Sequence, residues 1–155
     1  AKVLAQRDED VFASKSAMEM LHHMFANDQY GAISKEIHTE LIDPLVDCFG
    51  SDELRDSACS AAVEMAKSMA SDALWKPLNY QILLKMRSRD KRVQLACLRT
   101  IHRFWEEFKE DFLLLLPDVL PFLGEVMEED DEEVVKTAQQ LLAVINALLP
   151  NNITF

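Results

Sequence analysis

The sequence predicts an all-α protein whose helices pair and stack as an α-α superhelix. Apolar residues recur at three- and four-residue steps in about seven segments separated by short polar breaks, with almost no strand-like alternation. Glycine and proline are sparse, 3 and 5 in 155 residues. A proline-then-acid-then-alanine pattern also returns along the chain.

The first segment, about Glu9 to Ala26, places Ala17, Met18, Leu21, Met24 and Phe25 on one side. The second, about Ser34 to Phe49, uses Ile37, Leu41, Leu45 and Phe49. The third follows Gly50, with Ser51-Asp52 as its expected cap and a stripe of Leu54, Ala58, Ala61, Ala62, Met65 and Met69. The fourth, about Asp72 to Arg87, carries Leu74, Leu78, Ile82 and Met86. The fifth, about Asp90 to Phe108, carries Val93, Ala96, Cys97, Ile101, Phe104 and Phe108, with Asp90 able to cap it. The sixth is the leucine-rich window Phe112 to Met127, read as a buried helix because its prolines and acids are too many for a membrane span. The seventh, about Asp130 to Leu149, has Val134, Ala138, Leu141, Leu142, Ile145 and Leu148 before Pro150, which cannot continue the helix.

Overlaying the segments shows the repeat. Leu41-Ile42-Asp43-Pro44-Leu45 precedes Ser51-Asp52 and Ala58; Leu74-Trp75-Lys76-Pro77-Leu78 precedes Asp90 and Ala96; Leu116-Pro117 through Leu123 precedes Asp130-Asp131 and Ala138. The matched alanines stand about 40 residues apart, the period of HEAT or armadillo units, one helix pair per period. A helix pair cannot bury both of its faces alone, so neighbouring pairs must stack. The expected organisation is one segment over 1–155 with three to four stacked pairs: a partial or divergent helix at 9–32, units 33–71, 72–109 and 110–149, and a tail at 150–155. The odd helix, and a first residue that is Ala1, suggest a piece of a longer solenoid.

The run Leu74-Trp75-Lys76-Pro77-Leu78-Asn79-Tyr80-Gln81-Ile82-Leu83-Leu84-Lys85 is more specific than the repeat. It is followed by Val93-Gln94-Leu95-Ala96, Leu115-Leu116-Pro117, Pro121-Phe122-Leu123-Gly124-Glu125-Val126-Met127-Glu128 and Glu132-Glu133-Val134. From about Asp72 to Gln140 this series closely resembles the C-terminal region of the large nucleolar HEAT-repeat family associated with the U-three small nucleolar RNA. The resemblance is looser upstream and absent at Pro150 to Phe155. It implies a non-catalytic scaffold segment of the small-subunit processome in the nucleolus, for pre-rRNA transcription and rRNA processing. The implied partners are other processome subunits and its small nucleolar ribonucleoprotein. Composition and period support only a helical-repeat interaction module.

With 16 Lys and Arg against 27 Asp and Glu, the net charge of −11 opposes nonspecific binding to nucleic acid or anionic membrane. The glycines are too scattered for a phosphate-cradling loop. Cys48, Cys59 and Cys97 form neither a disulfide framework nor a metal half-site, and Cys59 and Cys97 fall on apolar stripes where they are expected to be buried. His22 and His23 point about 100° apart on a helix and cannot make a zinc pair. No catalytic constellation, cofactor or small-molecule substrate is expected. Asn152-Ile153-Thr154 fits a glycosylation acceptor but reads as an ordinary polar tail.

Three candidate sites remain. Lys85, Arg87, Arg89, Lys91 and Arg92 make a basic inter-helix turn that either contacts RNA or an acidic partner, or pairs with the acidic turn of the next repeat. Glu128, Glu129, Asp130, Asp131, Glu132 and Glu133 either dock a basic partner or form a solvated turn that favours the start of the last helix. Trp75 and Tyr80 are expected in the core, whereas Trp105, beside Phe104, is expected as an exposed anchor, since two adjacent residues cannot face one core direction. The alternatives to a scaffold are a direct RNA-contacting module through the basic turn and a generic adaptor in transport or signalling. Outer-face polarity for a capping last helix comes from Lys136, Gln139, Gln140 and Asn146.

Overall fold

The computed structural model describes residues 11–27, 35–69 and 72–150. Among them are seven α-helices: α1 Val11–Ala26, α2 Lys35–Asp47, α3 Arg55–Met69, α4 Asp72–Lys85, α5 Lys91–Phe108, α6 Leu116–Met127 and α7 Glu132–Leu148. Two 3-10 turns, Cys48–Gly50 and Lys109–Leu115, join α2 to α3 and α5 to α6. No strand occurs among the described residues. The Glu9 start of the first segment and the Asn152-Ile153-Thr154 tail lie outside them.

The chain divides into two compact units, the first ending at Lys85 and the second beginning at Met86. In the first, α1 packs on α3 and α2 on α4, while α2–α3 and α3–α4 also touch as sequence neighbours. In the second, α5 packs on α7, α6 on α7, and the 3-10 segment closes against both α5 and α6. Packing on the helix two places along is the signature of stacked helix pairs, and the fold class is the all-α, α-α superhelix.

Local chemistry explains where the helices start and stop. Asp90 stands in extended backbone and its Oδ1 accepts the Arg92 N–H at 2.9 Å, while its carbonyl accepts from Val93 and Gln94 at 3.0 Å. Asp131 repeats the device, its Oδ1 accepting from Glu133 at 2.9 Å and Val134 at 3.2 Å. At the third helix the expected cap takes another form. The Ser51 carbonyl accepts from Leu54 and Arg55, the Ser51 hydroxyl donates to Glu53, and Asp52 pairs with Arg55 at 2.8 Å. Arg55 Nε also donates to the Phe49 carbonyl at 2.9 Å, pinning the turn to the end of the preceding 3-10 element. Pro44, Pro77 and Pro121 lie inside α2, α4 and α6. Each removes one backbone donor, which a helix with a solvent-facing side tolerates; Pro44 is half-buried, and Pro77 and Pro121 are exposed.

The core follows most of the predicted stripes in α3, α4, α5 and α7, with Ala58 and Ala138 fully buried and Ala96 nearly so, while Phe108, Leu142 and Leu148 are half-buried and the Met69 side chain lies outside what the structure describes. Alanine at these places lets neighbouring helices approach closely. Cys48 and Cys97 are buried, whereas Cys59 is only half-buried, and none of the three is in a disulfide. Other positions depart from expectation. Ile37 is 44% exposed, because His38 takes the core place in the first turn of α2, stacked on Phe25 at 5.4 Å and bonded to the Ser68 hydroxyl at 3.2 Å. Met24 lies 38% exposed rather than in the α1 stripe. Trp75 is buried, its indole N–H donating to the Ala66 carbonyl at 2.8 Å, but Tyr80 is 44% exposed. Five residues on a helix turn through about 140°, so the two rings cannot share a face.

The leucine-rich window is not one helix. Lys109, at φ 49, ends α5, and the chain passes through the 3-10 turn before α6 begins beside Pro117, a first-turn position where proline's missing donor is harmless. Of the four leucines, Leu115 is buried, Leu113 and Leu116 are half-buried and Leu114 is exposed. This turn also corrects the expectation for Trp105, which is fully buried and no surface anchor. The reversal brings Phe112 back over α5, edge-on to Trp105 at 5.3 Å and tilted on Phe104 at 5.8 Å. One aromatic ring thus covers both neighbours. Burial on α5 spans Val93 to Leu98 without a break, leaving Arg99 and Arg103 as its exposed side.

Replacing Ala138 by leucine should lower stability by about 1–3 kcal/mol through overpacking between α5 and α7. The same change at exposed Ala147 should stay within about 0.5 kcal/mol. Urea unfolding midpoints of the two variants check the contrast.

Candidate functional site

The candidate site is built by the turn that leads into α5 and the turn that joins α6 to α7, both in the second unit. Asp90 and Asp131 hold these turns in the same conformation, so the charged residues around them are presented alike. Ser88 Oγ accepts the Asp90 N–H at 3.1 Å and tightens the first turn.

The basic residues are largely occupied within their own units. In the second unit, Arg87 makes a fork to Glu125, Nε at 3.0 Å and a terminal nitrogen at 2.8 Å, and its guanidinium lies 4.5 Å over the Phe122 ring. Bidentate geometry and ring stacking are both properties of a guanidinium that lysine lacks. Lys91 Nζ bridges Asp131 at 3.2 Å and Glu133 at 2.8 Å, and Arg99 approaches Glu133 at 3.6 Å. Arg92 folds back on Asp90 at 3.0 Å. Arg89 is exposed and has no acidic partner among the described residues. In the first unit, Lys85 reaches Asp47 at 3.5 Å. Lys85–Asp47 and Arg87–Glu125 both span 38 residues of sequence, close to one repeat.

The acidic run divides in two. Asp131 and Glu133 hold Lys91, and Glu129 accepts from Gln94 at 3.4 Å. Glu128, Asp130 and Glu132 are exposed and have no cationic partner among the described residues. The arrangement therefore brings the two turns together and leaves a residue of negative charge on the second. Solvent screens such exposed pairs, so each adds little to stability.

The titrating groups respond to this geometry. The Val134 backbone N–H, followed by the Lys91 ammonium, holds the Asp131 carboxyl below its ordinary 3.8. The Arg87 fork holds Glu125 below 4.5. Hydrogen bonds to Glu133 and then Asp131 raise Lys91 above 10.5. Depressed carboxyls stabilise the fold above their unfolded values, and that contribution is lost as pH falls through the folded ones. The raised ammonium acts in the opposite sense, fully present below 10.5 and lost as pH rises past its folded value.

Among the described residues no three His, Cys, Asp or Glu side chains converge as metal ligands, and no helix is long and apolar enough to cross a membrane. The outer face expected of α7 is present in part, with Lys136, Gln139 and Gln140 exposed and Asn146 half-buried. Sequence reading missed the buried His38 and a row of carboxylates along α2, Glu36, Glu40, Asp43 and Asp47, all exposed. Their four-three-four spacing was the available signal.

Nuclear magnetic resonance titration should place the Asp131 carboxyl midpoint below 3.8. Lys91→Met should raise it only part of the way, because the Val134 N–H remains. Asp131→Asn should flatten the loss of thermal stability between about pH 5 and pH 3. An unchanged acid limb in that variant would show that this cap carries no pH dependence.

A family model described as "Stalled ribosome sensor GCN1-like, HEAT repeats" matches residues 31–153. The human protein named HEAT repeat-containing protein 1 is 38% identical over 141 residues, covering 83% of this chain and 7% of its own length. The zebrafish protein of that name (Danio rerio) is 33% identical over 141 residues, covering 85% of this chain and 6% of its own. U3 small nucleolar RNA-associated protein 10 of Pyricularia oryzae is 33% identical over 94 residues, covering 61% of this chain and 5% of its own. The chain thus spans less than a tenth of the length of these three relatives. The stacked helix pairs agree with the family match: this chain belongs to the HEAT-repeat family and resembles HEAT repeat-containing protein 1 and U3 small nucleolar RNA-associated protein 10.

Proposed function

We propose that the chain is a non-catalytic protein-interaction scaffold in ribosome biogenesis. It acts in the nucleolus as the C-terminal segment of a longer solenoid, with repeat units 33–71, 72–109 and 110–149 after a partial unit at 9–32. The similarity to the HEAT repeat-containing and U3 small nucleolar RNA-associated proteins supports the biological setting. The observation that carries the mechanism is the internal neutralisation of the basic turn: Lys85, Arg87, Lys91 and Arg92 each hold a carboxylate of their own unit. What remains unmatched on the second turn is mainly negative, Glu128, Asp130 and Glu132. Such a surface favours basic protein segments over phosphate backbones. The work is geometric: stacked helices offer side chains in fixed register to neighbouring subunits of the small-subunit processome, and no bond is made or broken.

One observation favours a second reading. Arg89, exposed and without an acidic partner among the described residues, is free to touch a phosphate of pre-rRNA, with Arg103 exposed on the helix that follows. Replacing Arg89 and Arg92 by glutamate should then reduce RNA crosslinking while protein co-purification persists.

Affinity purification of the intact parent protein, with and without the segment 72–155, tests the scaffold. Loss of a defined set of nucleolar assembly factors is the expected result. Unchanged partners would defeat the proposal, and a recovered set dominated by transport cargo would favour an adaptor outside ribosome biogenesis.

A further inference from the structure

Between α2 and α4, within the first unit, runs a groove of about 520 Å³. Pro44 and Val46 from α2 and Leu84 from α4 give it apolar lining, with Gln81 of α4 beside them. Asp43 and Asp47 line the α2 side, and Lys85 stands on the α4 side. Glu36 and Glu40 continue the carboxylate row along the same face of α2, exposed like Asp43, and none of these three has a cationic partner among the described residues. Asp47 is the exception: the Lys85 ammonium sits 3.5 Å from its Oδ1. The chain therefore seats a cation of its own at one end of the groove, the Lys85 side chain 30% exposed and that of Asp47 55%.

We propose that this groove receives an extended lysine- and arginine-rich segment of a partner protein. The proposal deepens the scaffold reading by naming the chemistry of one partner. Spacing supports it as well as charge. Steps of three and four residues along α2 advance about 4.5 to 6 Å. Alternate side chains of an extended chain lie about 6.6 Å apart. Every second residue of such a segment can thus face a successive carboxylate, while the residues between lie over Pro44 and Leu84. The row from Glu36 to Asp47 spans about 16 Å, the length of about six extended residues, three of whose side chains face it, one for each carboxylate other than the Lys85-bound Asp47. A nucleic-acid backbone would meet the same row with like charge, which opposes its entry.

Fluorescence anisotropy on the whole chain, with a fluorescein-labelled nonapeptide of alternating arginine and leucine as probe, tests the idea. The expected result is binding that weakens with salt and falls about tenfold in the double variant Glu40→Gln, Asp43→Asn. The double variant Glu110→Gln, Asp111→Asn removes the same charge from the second unit, away from both acidic surfaces, and should leave affinity within about twofold. Lys85→Gln should tighten binding severalfold by removing the resident cation. Equal losses in both double variants would overturn the proposal in favour of unspecific charge attraction. No loss in either, or tighter binding of a labelled oligouridine than of the peptide, would also overturn it. Failure here leaves the co-purification of nucleolar partners with the parent protein intact as a separate result, so the groove and the scaffold reading stand or fall independently.

Discussion

A pair of antiparallel helices has two apolar faces and can cover only one of them, and the structure of this chain follows from how the other is covered. Helix α5 contributes an unbroken buried run from Val93 to Leu98 and then Thr100, Ile101, Phe104 and Trp105. A partner in sequence cannot bury that much circumference. The helix two places on, α7, supplies the second cover, as α3 does for α1 and α4 for α2 in the first unit. Fully buried Ala58 and Ala138 permit the approach, since any larger side chain at those places would hold the helices apart.

Electrostatics is subordinate to this packing. Stacking places residues about one repeat apart side by side, and the charges then pair as Lys85–Asp47, Arg87–Glu125 and Lys91–Asp131. All are exposed or half-exposed, so none contributes much to stability alone. Their consequence lies in what is left over. A chain whose sequence shows a distinct basic turn presents a surface on which most of that turn is already matched, and the unmatched groups of α2 and of the acidic turn are carboxylates.

Local signals were legible in the sequence wherever a rule acts within one helical turn. The existence of the helices, the Asp90 cap and the buried alanines of the repeat depend on near neighbours, and the structure has them where periodicity puts them. The acidic cap before α7 is Asp131, one residue into the Asp130-Asp131 pair. What depended on distant segments was not legible. Trp105 looked exposed because adjacent residues diverge by about 100°, a sound rule for a helix with one buried side. It fails for α5, where Phe112 returns through a 3-10 turn to cover both rings. Ile37 and Tyr80 depart in the other direction, each 44% exposed where the sequence predicts burial. The partner of the basic turn was legible only as an alternative, because choosing between RNA and the next acidic turn needs the stack itself.

The central claim is that the helix two places on, rather than the sequence neighbour, completes the core. Hydrogen–deuterium exchange of a chain ending at Asp131, which lacks α7 but keeps α5, the 3-10 turn and α6, tests it directly. Amides of Ile101, Phe104 and Trp105 should lose most of their protection, since the covering helix is gone. Retention of full protection along α5 in that chain would contradict the account.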